Sequence, residues 1–249
     1  ILIEPFHGAK MVGQYSVAYK WISALNIIPS FFTQALLPVM SRQAHSDREG
    51  LKRNYILAIK LLVIVALPLA VAFTFMAYTL VGLLGGSQFL PEGALATQIM
   101  IWSIPIGWMN SLTQYVLIAV DMHRRITRAF VVAVAFNIIA NLIFIPPYGY
   151  QAAAIITILS EAVLLVPFAR LLHEALGSLP WVGMVWRPIV AAAAMLLVLG
   201  VGWTLQPVLA SIASGLVYGG LLLALRPLST DELARLLPLL PSRLRRALA

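Results

Sequence analysis

Long apolar runs dominate the pattern of hydrophobic and polar positions along the chain. A transmembrane helix needs about 20 mainly apolar residues to cross a hydrocarbon core of about 30 Å, and about seven runs reach that length. They cover residues 14–40, 55–84, 95–120, 129–146, 151–170, 186–205 and 208–226. The pattern therefore predicts an all-α fold, a polytopic integral membrane helix bundle of about seven transmembrane helices.

Composition leads to the same fold class. Of the 249 residues 61% are hydrophobic and 10% are charged, and the mean hydropathy is +0.92. Soluble domains carry roughly 25% charged residues, so lipid must cover much of this surface. The chain has no cysteine, which excludes disulfides, thiolate metal sites and cysteine nucleophiles. The four histidines (His7, His45, His123 and His173) show no metal-ligand spacing, and we expect neither a metal nor a cofactor.

The charges follow the connections between the predicted spans. Alternate connections and the C-terminal tail carry the basic residues Arg42, Arg48, Lys52, Arg53, Arg124, Arg125, Arg128, Arg170, Arg187, Arg226, Arg235, Arg243, Arg245 and Arg246. The intervening connections, 85–94, 146–150 and 205–207, have no Lys or Arg. This one-sided distribution predicts that the basic connections and the C-terminus are cytoplasmic. It also explains the net charge of +8 through anionic lipid headgroups, without a nucleic-acid partner.

The chain divides into four predicted parts. Residues 1–12 are expected to end a truncated preceding span and its outer loop, because the chain starts at Ile1 rather than Met. Residues 13–172 form the core bundle, and 173–226 form a cytoplasmic loop with two nearly apolar, peripheral transmembrane helices. Residues 227–249 form a cytoplasmic, amphipathic, basic tail, which opens with Ser229 and Glu232 at capping-box spacing.

Prolines interrupt several of the predicted spans. They are Pro29, Pro38, Pro68, Pro105 and Pro167. We expect neighbouring helices to satisfy the carbonyl groups that these prolines leave without a helical partner.

Polar side chains at membrane depth mark the candidate site, because they normally face a protein interior or a water-filled cavity. In the first span Ser16, Lys20, Ser23, Ser30 and Gln34 fall within an arc of roughly 80°. Asn26 lies beside this arc, and Asn110 and Gln114 share a face of the third span with Asp121. Asn137 and Asn141 stack on the fourth span. The candidate cavity-lining residues are therefore Ser16, Lys20, Ser23, Asn26, Ser30, Gln34, Asn110, Gln114, Asn137 and Asn141. The alternative for Asn137, Asn141, Thr157 and Ser160 is a purely interhelical hydrogen-bonding role.

Lys20 and Glu161 are the ionisable residues deepest within the apolar runs. They could form a structural ion pair, or Lys20 could bind an anionic substrate while Glu161 carries protons or a coupling cation. Asp121 is a further candidate for coupling. Lys60 lies near the cytoplasmic end of its span, which favours snorkelling to the membrane surface.

Three segments of the chain resemble a known family. The first is Val12–Arg42, VGQYSVAYKWISALNIIPSFFTQALLPVMSR. The second is the run 67–70 (Leu-Pro-Leu-Ala), followed by Gly85, Gly86 and Phe89. The third is Asn137–Glu161, NIIANLIFIPPYGYQAAAIITILSE. Together they resemble the polysaccharide flippase branch of the multidrug/oligosaccharidyl-lipid/polysaccharide exporter superfamily, over roughly residues 10–172.

The resemblance implies that this chain is the second bundle, or C-terminal half, of a two-bundle flippase that works by alternating access. Its substrate would be a polyprenyl-diphosphate-linked oligosaccharide, moved from the inner to the outer leaflet of the inner (plasma) membrane for polysaccharide biosynthesis. Lys20 would be the best candidate for the diphosphate, and Asn, Gln and Ser would suit the sugars. The implied partners are membrane lipids, the missing N-terminal bundle, and a polysaccharide polymerase or glycosyltransferases.

Two other functions remain open from the sequence. A cation-coupled multidrug exporter of the same superfamily would use Glu161 or Asp121 as a proton-linked acid. A membrane glycosyl- or acyltransferase would need a constellation of catalytic acids, to which Asp121 with His123 is the nearest approach. The scarcity of acidic residues at membrane depth argues against the multidrug exporter. We expect a transporter and not an enzyme, because Asp121 and His123 lie in a basic turn that topology already explains.

Overall fold

The computed structural model describes residues 4–236, and between them the chain is helical with no strand. The α-helices are α1 (Glu4–Leu25), α2 (Ile27–Ser46), α3 (Arg48–Gly85), α4 (Glu92–Met100), α5 (Ser103–Ala119), α6 (His123–Leu176), α7 (Trp181–Gly202), α8 (Pro207–Leu225) and α9 (Thr230–Leu236). A short 3-10 helix, Ser87–Phe89, lies between α3 and α4. The predicted polytopic helical membrane fold is confirmed.

Within the described residues, five helical segments are long and apolar enough to cross a membrane. One of them is α6, whose 54 residues would extend to about 80 Å if straight. It is broken at Gly149, where φ is 60° and ψ is −138°. A residue with a side chain adopts that backbone conformation only with strain, whereas glycine accepts it. We call the arms on either side α6a (residues 123–148) and α6b (residues 150–176).

The two arms of α6 form an antiparallel hairpin. Asn137 Nδ2 donates to Ser160 Oγ at 2.8 Å, and the rings of Phe130 and Phe168 meet edge to face at 5.6 Å. Farther from the turn, Arg125 pairs with Glu174. The members of each pair lie at nearly equal distances along the chain from Gly149, so the two arms run side by side. Each arm is long enough for a membrane crossing of its own.

The predicted third span is two helices rather than one. Residues 101 and 102 form a turn between α4 and α5, and the Ile101 carbonyl accepts from Ile104 N–H at 3.1 Å. Pro105 causes this break, because its ring excludes the normal helical bond to the Ile101 carbonyl. Together α4 and α5 are long enough to supply one further crossing.

Pro68 leaves α3 continuous, for the reason expected from the sequence. It has no N–H to offer the carbonyl of Ile64. The Tyr218 hydroxyl of α8 donates to that oxygen at 2.7 Å. A neighbouring helix therefore satisfies the carbonyl group that the proline leaves without its helical partner.

The basic connections meet at one end of the bundle. Arg48 donates to the Ala175 carbonyl at 3.3 Å, and Arg187 donates to the Arg226 carbonyl. At the other end, the Gln14 side chain of α1 donates to Glu92 of α4 at 3.0 Å. We call these the basic end and the opposite end.

The core lies around α3 and α5. Trp108, Tyr55 and Phe168 are among its largest fully buried side chains. The Tyr55 hydroxyl and Thr113 Oγ1 lie 2.8 Å apart and share a hydrogen bond. By contrast α8 is largely exposed; its buried residues are Ala210, Ser214 and Tyr218. Of the predicted N-terminal and tail segments, residues 1–3 and 237–249 lie outside the described residues.

Candidate functional site

The predicted polar stripe of α1 (Ser16, Lys20 and Ser23) lies on the side of the helix that this bundle leaves uncovered. Gln14, Val17, Ala18 and Ile22 are buried against the rest of the molecule. Lys20 and Ser23 are exposed and Ser16 is half-buried, on a face roughly 180° around the helix from the buried one. A lysine at the middle of an apolar segment is costly in lipid, so this face needs an aqueous or protein neighbour.

The polar stripe continues across the break into α2, where two of its residues have structural roles. Asn26 Oδ1 accepts a hydrogen bond from Trp108 Nε1 at 3.1 Å, and Ser30 Oγ donates to the Asn26 carbonyl at 2.8 Å. Gln34 is exposed. Within residues 4–236, Lys20, Ser23 and Gln34 make no side-chain hydrogen bond or ion pair. These three side chains are therefore available to a ligand.

On α5 the predicted polar face is divided between the interior and the surface. Asn110 is 3% exposed, and Gln114 is half-buried. Asp121 lies beyond the helix at the basic end, exposed, with His45 at 3.6 Å and His123 at 3.9 Å. Asp121 is thus separate from the other polar residues of this span.

One turn of α6b, residues 157–161, links three other helical segments through polar contacts. Thr157 Oγ1 lies 3.2 Å from the Tyr15 hydroxyl of α1. Ser160 accepts from Asn137 of α6a. Glu161 accepts from Asn110 of α5, whose Nδ2 lies 2.8 Å from both the Glu161 carbonyl and Glu161 Oε2. We call this turn the polar hub.

The fourth-span asparagines are linked to the polar hub through Asn137 and do not lie on the exposed stripe. Asn141 is buried, and its Nδ2 donates to the Asn137 carbonyl at 2.7 Å and to Asn137 Oδ1 at 3.0 Å. Asn137 in turn donates to Ser160. Both side chains therefore have interhelical or local partners.

The ion pair between Lys20 and Glu161 is not formed in the structure. Glu161 is half-buried against α5, whereas Lys20 is on the uncovered face of α1. Their separation leaves Lys20 without an acidic partner among the described residues.

Asn110 and Glu161 leave one buried acceptor unused. Asn110 Oδ1 has no hydrogen-bond partner, alone among the buried side-chain oxygen and nitrogen atoms of the described residues. Gly107, almost one turn before Asn110 on α5, also lies against Glu161. An added Cβ at Gly107 would be 3.4 Å from the Glu161 carboxyl carbon. A buried acceptor without a donor costs about 1–3 kcal/mol. Two changes would remove that cost. If Glu161 were protonated and the Asn110 amide rotated, the carboxyl O–H could donate to Asn110 Oδ1. Alternatively, a cation could bind between Asn110 Oδ1 and the Glu161 carboxylate.

Lys60 does not snorkel freely to the surface. Its ammonium lies 2.8 Å from Glu232 of α9, and the two side chains are 14% and 15% exposed. Ser229 and Glu232 form the predicted capping box, with N–H to side-chain oxygen distances of 2.7 and 3.2 Å. The capping role of Glu232 could be predicted from the sequence. Its ion pair with Lys60 could not, because that contact depends on how α9 packs against α3.

Two comparisons with known proteins show what the chain is similar to. Residues 1–92 match the model of a family described as "Polysaccharide biosynthesis protein". Over 246 residues the chain is 25% identical to the probable flippase AglR of Haloferax volcanii, a match that covers 95% of this chain and 52% of that protein. The chain thus spans about half the length of this curated relative.

The predicted resemblance to a polysaccharide flippase family is confirmed. The similarity is to a polysaccharide biosynthesis family over residues 1–92 and to a probable flippase over nearly the whole chain.

Proposed function

We propose that this chain is the second helical bundle of an alternating-access flippase for a polyprenyl-diphosphate-linked oligosaccharide. The substrate would move from the inner to the outer leaflet of the plasma membrane, with the basic end of the bundle and the C-terminus in the cytoplasm. The missing N-terminal bundle would form the other wall of the cavity.

The observation that carries the proposal is the unpartnered polar face of α1 and α2. Lys20, Ser23 and Gln34 are exposed on segments that are mainly apolar. No other described residue of this bundle makes a hydrogen bond or an ion pair with these three side chains. An ammonium suits a diphosphate, and the hydroxyl and amide suit sugar hydroxyls.

Asn110 and Glu161 are the proposed coupling site. Their helices, α5 and α6b, join at this contact, and the vacant Asn110 oxygen beside the carboxylate suits a proton or a small cation. Occupation of the site would change how firmly α5 and α6b are held together. A change of this kind is what alternating access requires of a coupling ligand.

Complementation of a flippase-null strain with the intact parent gene tests the cavity assignment. We expect the parent to restore surface polysaccharide and Lys20→Ala to reduce it by roughly tenfold or more, because a charge-assisted contact contributes about 1.5–3 kcal/mol. Lys10→Ala is the matched control, since Lys10 is exposed on the same helix nearer its N-terminal end. Glu161→Gln should abolish export at a normal membrane level.

Three outcomes would count against the proposal. Equal loss for Lys10→Ala and Lys20→Ala would remove the special role of Lys20. A parent that fails to restore polysaccharide but confers resistance to cationic dyes would favour a multidrug exporter instead. Flipping of glycan lipid by reconstituted residues 1–249 alone would contradict the need for a second bundle.

A further inference from the structure

A groove of about 390 Å³ lies between the two arms of α6 at the basic end. Arg125 and Arg128 come from α6a, and Arg170 comes from α6b. The three arginines meet because the hairpin places the start of α6a beside the end of α6b. This juxtaposition is a property of the fold, since about 40 residues separate Arg128 and Arg170 along the chain.

The charges in the groove are not balanced. Arg125 pairs with Glu174 across the hairpin. Arg128 and Arg170 are exposed and have no acidic partner among the residues that the structure describes. The groove therefore presents two free guanidinium groups, which bind phosphate oxygens through paired N–H donors.

The rest of the groove lining is mainly apolar. Val132 of α6a and Pro167 and Leu171 of α6b line it. Farther along α6a, away from the basic end, Val134 and Ile138 are exposed, as expected of a lipid-facing surface. The cationic groups thus lie at the edge of an apolar surface, at the depth where lipid headgroups meet acyl chains.

We propose that this groove binds an anionic phospholipid of the leaflet at the basic end. The headgroup phosphate lies between Arg128 and Arg170, and the upper part of an acyl chain lies along Val132, Pro167 and Leu171. Charge complementarity and the apolar floor together select a phospholipid over a free phosphate ion, which would leave the floor unused. Basic pockets between transmembrane helices at this level are a known class of lipid site.

Native mass spectrometry of the purified full chain tests the site. The probes are cardiolipin and phosphatidylglycerol, with phosphatidylcholine as the zwitterionic reference and inorganic pyrophosphate as the lipid-free anion. We expect Arg128→Gln with Arg170→Gln to weaken binding of the anionic lipids by about twenty-five-fold, because each arginine near a membrane surface contributes roughly fivefold. Arg42→Gln with Arg124→Gln is the control; it removes the same charge from exposed positions at the same end, outside the groove.

A second variant changes affinity in the opposite direction. Glu174→Gln frees Arg125 and should tighten binding of the anionic lipids by roughly fivefold, which a damaged fold would not do. Equal weakening by the groove and control variants would overturn the proposal, and so would unchanged binding in Glu174→Gln. Pyrophosphate binding as tight as that of phosphatidylglycerol would also overturn it, since the apolar floor would then contribute nothing.

Discussion

Asn110 illustrates how a single side chain can both hold helices together and remain incompletely satisfied. Its Nδ2 group bridges α5 to the carbonyl and carboxylate of Glu161, while its Oδ1 is buried without a donor. A buried group that loses its partner is more costly than a pair removed together, because the desolvation penalty then has no compensation.

We expect Asn110→Leu to lower the free energy of unfolding by about 1–3 kcal/mol, because it leaves the Glu161 carboxylate without its donor. The double variant Asn110→Leu with Glu161→Leu should lose less than Asn110→Leu alone. Thermal unfolding in detergent measures both. A double variant that loses the sum of the two single losses would show that the residues are not coupled.

At the scale of elements, the α6 hairpin depends on one glycine. We expect Gly149→Ala to destabilise the chain by about 1–3 kcal/mol, because the turn requires a backbone conformation that side chains disfavour. Gly200→Ala in α7 is the control, since an added Cβ there meets no atom within 4 Å. The control should be neutral or stabilise the helix by up to about 1 kcal/mol. Equal unfolding temperatures for the two variants would show that a side chain at position 149 does not strain the turn.

The attachment of α9 depends on pH through Glu232. Burial raises the pKa of this carboxyl, but the hydrogen bonds from Lys60 and Ser229 and the Lys60 charge lower it by more. Because the folded pKa lies below the ordinary value of 4.5, the stabilisation is fully present above that pH. It is lost as the pH falls through the lowered pKa.

A spin label on Ala234→Cys, at an exposed position of α9, reports this attachment. We expect its mobility to stay low above about pH 4.5 and to rise as the pH falls further and Glu232 is protonated. In Glu232→Gln the label should be mobile both above and below that pH. A label that stays immobile in Glu232→Gln would mean that apolar contacts alone hold α9.

For the whole molecule, the orientation in the membrane is the property to be measured. The chain lacks cysteine, so single cysteines can be introduced without a background. Ser87 is exposed near the opposite end and Ser178 is exposed at the basic end. In intact cells we expect a membrane-impermeant maleimide to label Ser87→Cys, whereas Ser178→Cys should react only after permeabilisation. The reverse labelling would overturn the proposed orientation.

The sequence by itself determined the fold class, the approximate spans and the division into a basic and an opposite end. These properties depend on local composition, since the hydrophobic thickness of a membrane and the cost of unpaired backbone groups constrain each segment separately. The resemblance to a flippase family could likewise be recognised from short local segments. The break before Pro105 was missed because proline in a membrane helix can either break it or, as at Pro68, be accommodated by a neighbour.

Only the tertiary structure decided which polar residues contact one another. It placed Asn137, Asn141 and Glu161 in an interhelical network, and it left Lys20 and Gln34 on an uncovered face. It separated Lys20 from Glu161 and paired Lys60 with Glu232. Periodicity reports the direction of a side chain relative to its own helix, but its partners depend on the rotation and neighbours of that helix, which packing of the whole bundle sets.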